Sequence, residues 1–487
     1  MYQGAQFHHL HVPNGDTHTH FRGAELPAWM SRHLVTSALS RSGGVGALEG
    51  LAGSLLPADV YCRFLRARGE EVHFASAGGE PGGRRHAAEA RLAARLGLSF
   101  DAFGSRSSPL NVQQTQYFAR RLEQEGYIEP REGGLFFLQS RLAAELRARL
   151  AASPASRRWL DQGVEDRSIT SELLGGVPVD RTGFGGIAYD GGFDTPIACI
   201  AATREWAEAR GEPGAWRRWW CASEDVRYVQ FMASSEVPLH AVCFSCALIG
   251  SREGWKLADA VKAFHRCAFE GEPFSSHPDA FGAEAVELLA ADCWRYGLLA
   301  AAPETKEQTY SWESLAAVVN ADLAEMLSGF VTGALGFALE RFGGVVPAGG
   351  VAGRAERELA AALDLGIEAV AARIAALEFR AAVAALRSAW SLGAGYLAQK
   401  RPWDSFEPDR EGAALTARFC VNLVAVLARL SVPLVPFAAE RLLDALGVPI
   451  GARGWPARFE PAALPAGHAF GAPPPLFRRV EAAPICG

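Results

Sequence analysis

Between His33 and Ala75 the chain reads Leu34-Val35-Thr36-Ser37-Ala38-Leu39, then Gly43-Gly44, then a run from Leu51 to Arg68, then Gly69, then Val72-His73-Phe74-Ala75. The first six residues are β-prone and are followed by a glycine pair, which predicts a buried strand and its turn. In the run that follows, Ala52, Leu56, Val60 and Phe64 return one helical turn apart, and Gly69 supplies the stop. Strand, helix and strand in this order open a parallel, doubly wound α/β sheet.

On the N-terminal side, residues 1–30 form a polar, aromatic arm in which His8, His9, His11, His18 and His20 crowd around Pro13-Asn14-Gly15-Asp16. On the C-terminal side, a connective segment of about 112–165 reads as mostly helical, broken at Glu129-Pro130 and Ser153-Pro154. A second α/β stretch carries strand candidates at Gly186–Tyr189, Tyr228–Met232 and Ala241–Phe244, closing a sheet domain at 31–300. Helical spacing such as Leu359, Leu363, Ile367 and Val370 then predicts an all-α helix bundle over 301–450, with a tail at 451–487 crossing the surface.

The 487 residues predict two or three domains, and a composition 49% hydrophobic and 21% charged is globular. A net charge of −6 argues against a general nucleic-acid or membrane-surface binder. Lysine occurs only at Lys256, Lys262, Lys306 and Lys400. Nine scattered cysteines, such as Cys420 within an apolar run, predict reduced thiols and a cytoplasmic protein. The apolar stretch Phe419–Ala439 is interrupted by Asn422, Arg429, Pro433 and Pro436, so it reads as paired bundle helices, with no membrane partner expected.

Several segments, in order, resemble the methionyl-tRNA synthetases of class I. Ala58-Asp59-Val60-Tyr61 with Arg63-Phe64 is similar to the family's first helix, and Phe100-Asp101-Ala102-Phe103-Gly104-Ser105 to its Phe-Asp-x-Phe-Gly-x segment. Asp166-Arg167-Ser168-Ile169-Thr170 through Gly176-Val177-Pro178-Val179, Phe193-Asp194-Thr195-Pro196-Ile197 and Gln230-Phe231-Met232 through His240 match further landmarks. Trp294-Arg295-Tyr296, Tyr310-Ser311-Trp312 and Arg401-Pro402-Trp403 fall at those of the helical domain. The resemblance implies a Rossmann-like synthetase domain followed by an anticodon-binding-type bundle.

Amino-acid activation builds negative charge on ATP's α-phosphate, which the family meets with the imidazoles of a HIGH motif and the lysines of a KMSKS loop. The HIGH slot falls at Ala47-Leu48-Glu49-Gly50, and no histidine lies between His33 and His73. The KMSKS slot falls at Pro273-Phe274-Ser275-Ser276-His277, and no lysine lies between Lys262 and Lys306. The acid that receives the substrate's ammonium group falls at Gly79, with Glu80 as its neighbour, and the adenosine-holding Lys-Asp-Asn reads Ser234-Ser235-Glu236. The indole and phenol that line the methionine pocket fall at Gly192 and Cys199, predicting a wider, less aromatic pocket, whereas Leu39 and His240 match. The zinc knuckle expected after Tyr127-Ile128 is missing, and Cys243 with Cys246 reads as core packing in a strand-like run. The anticodon-reading Asn and Arg correspond to Gly329 and Gly333, and Trp403 reads as core.

Two polar sets remain. His9, His11, His18 and His20 have the spacing of an imidazole metal site, with zinc as the ion, against the plainer reading of an incidentally His-rich arm. Pro-x-Gly-x-x-His within it resembles half of a cupin signature, and zinc cupins precede methionyl-tRNA-synthetase-like domains in proteins that make hydrazine linkages. Within the sheet domain, Leu39, Arg41, Glu49, Glu80, Tyr189, Gly192, Asp194, Cys199, Ser235, Glu236 and His240 form the expected ligand pocket. Catalytic candidates among them are His240, Asp194, Glu236 and Tyr189, with His240 as a general base or as a hydrogen-bonded core histidine.

These absences lead to the expectation of a repurposed, ATP-incompetent paralogue in specialised metabolism. It would bind an amino-acid-like ligand or a partner such as a cupin, with no cofactor and no specific tRNA recognition. Two alternatives use ATP and magnesium: a ligase forming an aminoacyl ester on a small acceptor, and a methionine–tRNA ligase.

Overall fold

The structure, a computed structural model, describes residues 32–39, 48–78, 84–131, 134–150, 160–161, 163–172, 176–221, 224–270 and 283–481. At its centre β1 (Arg32–Ala38), β2 (Glu71–Gly78), β3 (Ala102–Ser105), β4 (Val226–Ala233) and β5 (Ala260–Phe264) form one sheet in the order β5-β4-β1-β2-β3. Every neighbouring pair is parallel; Leu34 lies opposite His73 on one side and Tyr228 on the other. A parallel sheet needs both faces covered, and Leu34 and Val35 of β1 are fully buried on opposite sides. Val35, Phe74 and Phe231 pack with helix α1 (Leu56–Ala67), whereas Leu34, Ala38 and Tyr228 share a core with Phe193 and Ile197.

The helix run predicted from Leu51 has a π-helical first turn, Leu51–Leu55, before α1 proper, and Ser54 Oγ ties that turn to the Phe231 carbonyl at 2.9 Å. Between β3 and β4 the chain inserts α2 (Pro109–Gln124), an antiparallel hairpin of Ile128–Arg131 with Gly134–Phe137, and α3 (Gly191–Ala209). Helix α3 lies directly on β3: a Cβ at Gly104 would sit 2.6 Å from Ala202 Cβ, so only glycine fits there.

Three sequence readings are corrected. Ala241–Phe244 is helical, spanning a π turn at Pro238–Cys243 and the start of an α-helix at Phe244–Gly250. Its residues are buried all round, so no alternation exists to separate strand from helix. Trp403 is 43% exposed and not core. The tail does more than cross the surface: Phe459, Leu464 and Phe470 are buried, and Trp455 meets Phe64 edge-on at 4.8 Å.

The C-terminal half contains α4 (Ala291–Ala300), α5 (Ser328–Phe342), α6 (Arg354–Ala375), α7 (Phe379–Lys400), α8 (Arg410–Ser431) and α9 (Pro436–Ala445). Leu359, Leu363, Ile367, Val370 and Ile374 of α6 are the buried stripe that the spacing predicts. Trp312–Phe342 and Arg410–Ser431 are long and apolar enough to cross a membrane, yet 89% of the apolar window of the second lies inside the bundle. Sheet and bundle meet at Arg295, which is fully buried. Its guanidinium donates to Asp59 Oδ2 at 2.6 Å and to the carbonyls of Leu96, Pro433 and Leu434 at 3.2, 3.0 and 3.2 Å.

Candidate active site at the carboxyl edge

In a doubly wound sheet, ligands bind beyond the carboxyl ends of the strands, where the strand order reverses. That reversal lies at β1, whose neighbours β2 and β4 are reached in opposite directions along the sheet. Leu39 is buried just beyond β1, Gly78 ends β2, and β4 runs into Ser234–Glu236 and the π turn at Pro238–Cys243. Single π turns recur at functional sites, and two of them, Leu51–Leu55 and Pro238–Cys243, flank this edge.

Helix α3 aims its first turn at the same region. Asp190 is the N-cap, accepting from the Gly192 N–H at 2.6 Å. Asp194, one turn in, is 1% exposed and meets Arg106, the residue that follows β3. Arg106 Nη2 donates to Oδ1 and Oδ2 of Asp194 at 2.9 and 3.1 Å, and Nε to Oδ1 at 3.1 Å. Burial nevertheless pushes the Asp194 carboxyl up to about 6 against the pull of Arg106.

Behind this turn is a chain of polar contacts. Gln230 Nε2 donates to Tyr228 Oη at 2.8 Å and to the His240 carbonyl at 3.2 Å, and Tyr228 Oη lies 3.0 Å from Thr36 Oγ1. Burial raises the Tyr228 hydroxyl above its ordinary range and the Cys199 thiol to about 12, so both stay protonated at neutral pH.

Of the expected pocket residues, the structure gathers Tyr189, Gly192 and Asp194 around the start of α3, with the π turn of His240 against them. A Cβ at Gly192 would lie 2.9 Å from Leu239 Cδ2. Cys199 lies two turns deeper on α3, Glu236 and His240 are buried, and Ser235 is exposed. The same Cβ at Gly192 would lie 2.8 Å from both Arg167 Nη2 and Asp190 Oδ1, so the space beside Gly192 is lined by these two side chains and Leu239. Arg41, Glu80, the side chain of Glu49 and the histidines His9, His11, His18 and His20 lie outside the described residues, as do Ala47 and the slot at 273–277. Cys243 and Cys246 are both buried, one helical turn apart.

Sequence reasoning missed Arg106, Arg167 and Asp190 as site residues. Asp190 carries a legible signal, an N-cap acid before Gly191-Gly192. Arg106 is a cation directly after a strand end. Arg167 lies within the Asp166–Thr170 landmark, but only the pairing of its short strand with Phe136–Phe137 of the hairpin sets it against α3 in three dimensions.

Comparison with known proteins bears on these readings. The family model described as tRNA synthetases class I (M) matches residues 137–335, and that described as the anticodon binding domain of methionyl tRNA ligase matches residues 346–485. The methionine–tRNA ligase of Streptomyces avermitilis is 34% identical over 93% of this chain and 97% of its own length. That of Caulobacter vibrioides is 35% identical over the same shares. A solved structure of Mycobacterium tuberculosis methionyl-tRNA synthetase in complex with methionyl-adenylate covers 92% of this chain and 99% of its own at a TM-score of 0.74 and 20% identity, a likeness of fold.

These findings overturn two expectations. The relatives, matched along nearly their whole length, are named as methionine–tRNA ligases, against an ATP-incompetent paralogue repurposed for specialised metabolism. The match to an anticodon-binding domain overturns the expectation of no tRNA recognition. Loss of imidazole and ammonium groups is not loss of all positive charge, since guanidinium also stabilises phosphoryl oxygens. The chain belongs to the methionyl-tRNA synthetase family.

Proposed function

We propose that the chain is an ATP-dependent aminoacyl-tRNA ligase: the carboxyl edge of the sheet activates an amino acid, and the bundle engages the tRNA that receives it. Methionine, for which the relatives are named, is the reference substrate, and ATP with its magnesium the co-substrate. The observation that carries this reading is the near-complete overlap with relatives of that activity, 93% of this chain and 97% of theirs. The site supports it in kind. An amino-acid carboxylate attacks the α-phosphate and pyrophosphate leaves; a ribose hydroxyl then attacks the acyl carbon of the adenylate, taking the acyl group and releasing AMP. Each step needs preorganised donors in a pocket shielded from water. Arg106 and Arg167 bring guanidinium groups to the edge. A division into 31–300 for activation, 301–450 for tRNA and 451–487 as a strap over the bundle follows from this reading, as does a place in the cytoplasm, where tRNA is charged.

The sequence makes the test a demanding one, because no histidine lies between His33 and His73 and no lysine between Lys262 and Lys306. ATP–pyrophosphate exchange with each standard amino acid, followed by filter-bound charging of total tRNA, is the decisive experiment. Exchange with at least one amino acid and charging with the same one are expected. No exchange with any amino acid ends the ligase reading. Exchange without charging removes tRNA as the acceptor and leaves a small hydroxyl compound in its place.

A further inference from the structure

Away from the sheet edge, the tail passes over one face of α8 and leaves a cavity of about 150 Å³. Asn422, Ala425, Val426 and Arg429 share that helix face and form the floor. The tail is pinned on either side of the cavity. Arg429 Nε donates to the Gly454 carbonyl at 2.7 Å, and Asn422 exchanges two hydrogen bonds with Leu464, at 2.8 and 3.2 Å. Between the pins, Ala457, Arg458, Glu460 and Ala463 line the roof and are exposed, so the cavity reaches solvent there. Beside the first pin, the Trp455 N–H donates to the Ala67 carbonyl at 2.6 Å, at the end of α1. Helix α1 returns the chain from the carboxyl end of β1 to the start of β2, so its end marks the amino edge of the sheet. The cavity is remote from the carboxyl edge.

Arg429 is the charged group of the floor. Its Nε is engaged by Gly454, and neither Nη makes a hydrogen bond or an ion pair among the described residues. Burial works against its charge, and Glu460 supports it. On the roof, Arg458 Nε lies 3.6 Å from Glu460 Oε1, with both side chains largely exposed. Two guanidiniums and one carboxylate leave a single net positive charge around the cavity. Beside Arg429 the floor is apolar, because Ala425 and Val426 are buried. A cavity of this volume holds one aromatic ring. A carboxylate matches a guanidinium fork with two parallel bonds, whereas the Glu460 charge weighs against a doubly charged phosphate.

We propose that the cavity between α8 and the tail binds a small organic monocarboxylate, with its carboxylate on the Nη groups of Arg429 and its apolar body on Ala425 and Val426. The site is separate from the carboxyl edge, and it stands whether or not the chain is a ligase. Its occupant touches both α8 and the tail, and so fastens the strap that runs on to the end of α1. A ligand that binds only the folded chain stabilises it by mass action, which makes the site measurable without knowing the natural occupant.

Benzoate, one ring with one carboxylate, is the probe. Thermal melting and calorimetric titration of the full chain compare it with benzamide, its neutral counterpart, and with inorganic phosphate, an anion without an apolar body, at matched ionic strength. Benzoate is expected to raise the melting temperature saturably and to bind at least about tenfold more tightly than either of the others. Arg429→Met is expected to remove the preference for benzoate over benzamide, and Ala425→Leu, which fills the floor, to weaken both. Melting of the variants without ligand shows whether they fold, and the ranking on the unmodified chain stands without them. Benzamide binding as tightly as benzoate overturns the proposal, as does phosphate matching benzoate, benzoate affinity unchanged in either folded variant, or no saturable binding of benzoate at millimolar concentration.

Discussion

Two buried aspartates paired with arginine, Asp59 where the sheet domain meets the bundle and Asp194 at the carboxyl edge, have carboxylates driven in opposite directions. Asp59 at the junction is fully buried, and burial alone would raise its pKa. It receives Arg63 Nε at 2.8 Å, Arg295 Nη2 at 2.6 Å, and the N–H and hydroxyl of Ser99 at 2.7 and 2.6 Å. Those donors outweigh desolvation and hold it well below the ordinary carboxylate range. Asp194 is as deeply buried but has only Arg106 and the Thr195 hydroxyl, so burial prevails and the group sits at about 6. The nearby charges separate the two: two guanidiniums hold Asp59 ionised, whereas Asp194 has one guanidinium and the Asp190 carboxylate close by, which leaves it near neutrality, where proton transfer is useful.

The junction pair carries the largest expected effect. Arg295→Met leaves Asp59 short of a charged partner and strips a donor from three carbonyls, at a cost of about 3–5 kcal/mol in denaturant unfolding. A loss under about 1 kcal/mol would show that the junction tolerates an unpaired charge. The edge pair comes second and is read through pH. A carboxylate raised from about 4 in the unfolded chain to about 6 when folded holds an extra proton in the native state across that window. Stability therefore falls as pH rises through it, by up to about 3 kcal/mol. Asp59 has the opposite sign: its contribution is present above about pH 4 and is lost as pH falls below. Unfolding measured from pH 3 to pH 8 should show both limbs, and Asp194→Asn should flatten the upper one and spare the lower. If the upper limb is unchanged in that variant, the shift belongs to another group. The smallest effect is expected at an exposed pair of similar length, Arg354 with Glu358 at 2.6 Å on α6, where the side chains are 86% and 63% exposed. Arg354→Ala should change stability by no more than about 0.5 kcal/mol, and a larger loss would show that burial is not what distinguishes the three pairs.

Much of this architecture is legible in the sequence, and the parts that are not share a cause. The first strand, helix and strand announce the parallel sheet, because a β-prone run, a 3.6-residue repeat and a glycine stop each act over a few residues. The stripe of α6 is equally local. Ala241–Phe244 is not: a segment buried on every side shows no period, and what surrounds it decides between strand and helix. The site divides in the same way. Asp194 and Tyr189 could be named from motif position, and Asp190 from the capping rule. Arg167 escaped notice as a site residue because the pairing of its short strand with the distant hairpin strand at Phe137, not its neighbours in the chain, delivers it to α3.

The sequence alone determined the sheet, the bundle and the poverty of histidine and lysine where phosphate is expected, since composition and periodicity are properties of the chain itself. Only the tertiary structure decided which arginines stand at the edge, that the room beside Gly192 holds a guanidinium, and that Asp59 and Asp194 ionise so differently. Those outcomes depend on distances between residues far apart in the chain, 236 positions for Asp59 and Arg295. Electrostatic energy follows separation and burial, which no reading of local pattern supplies.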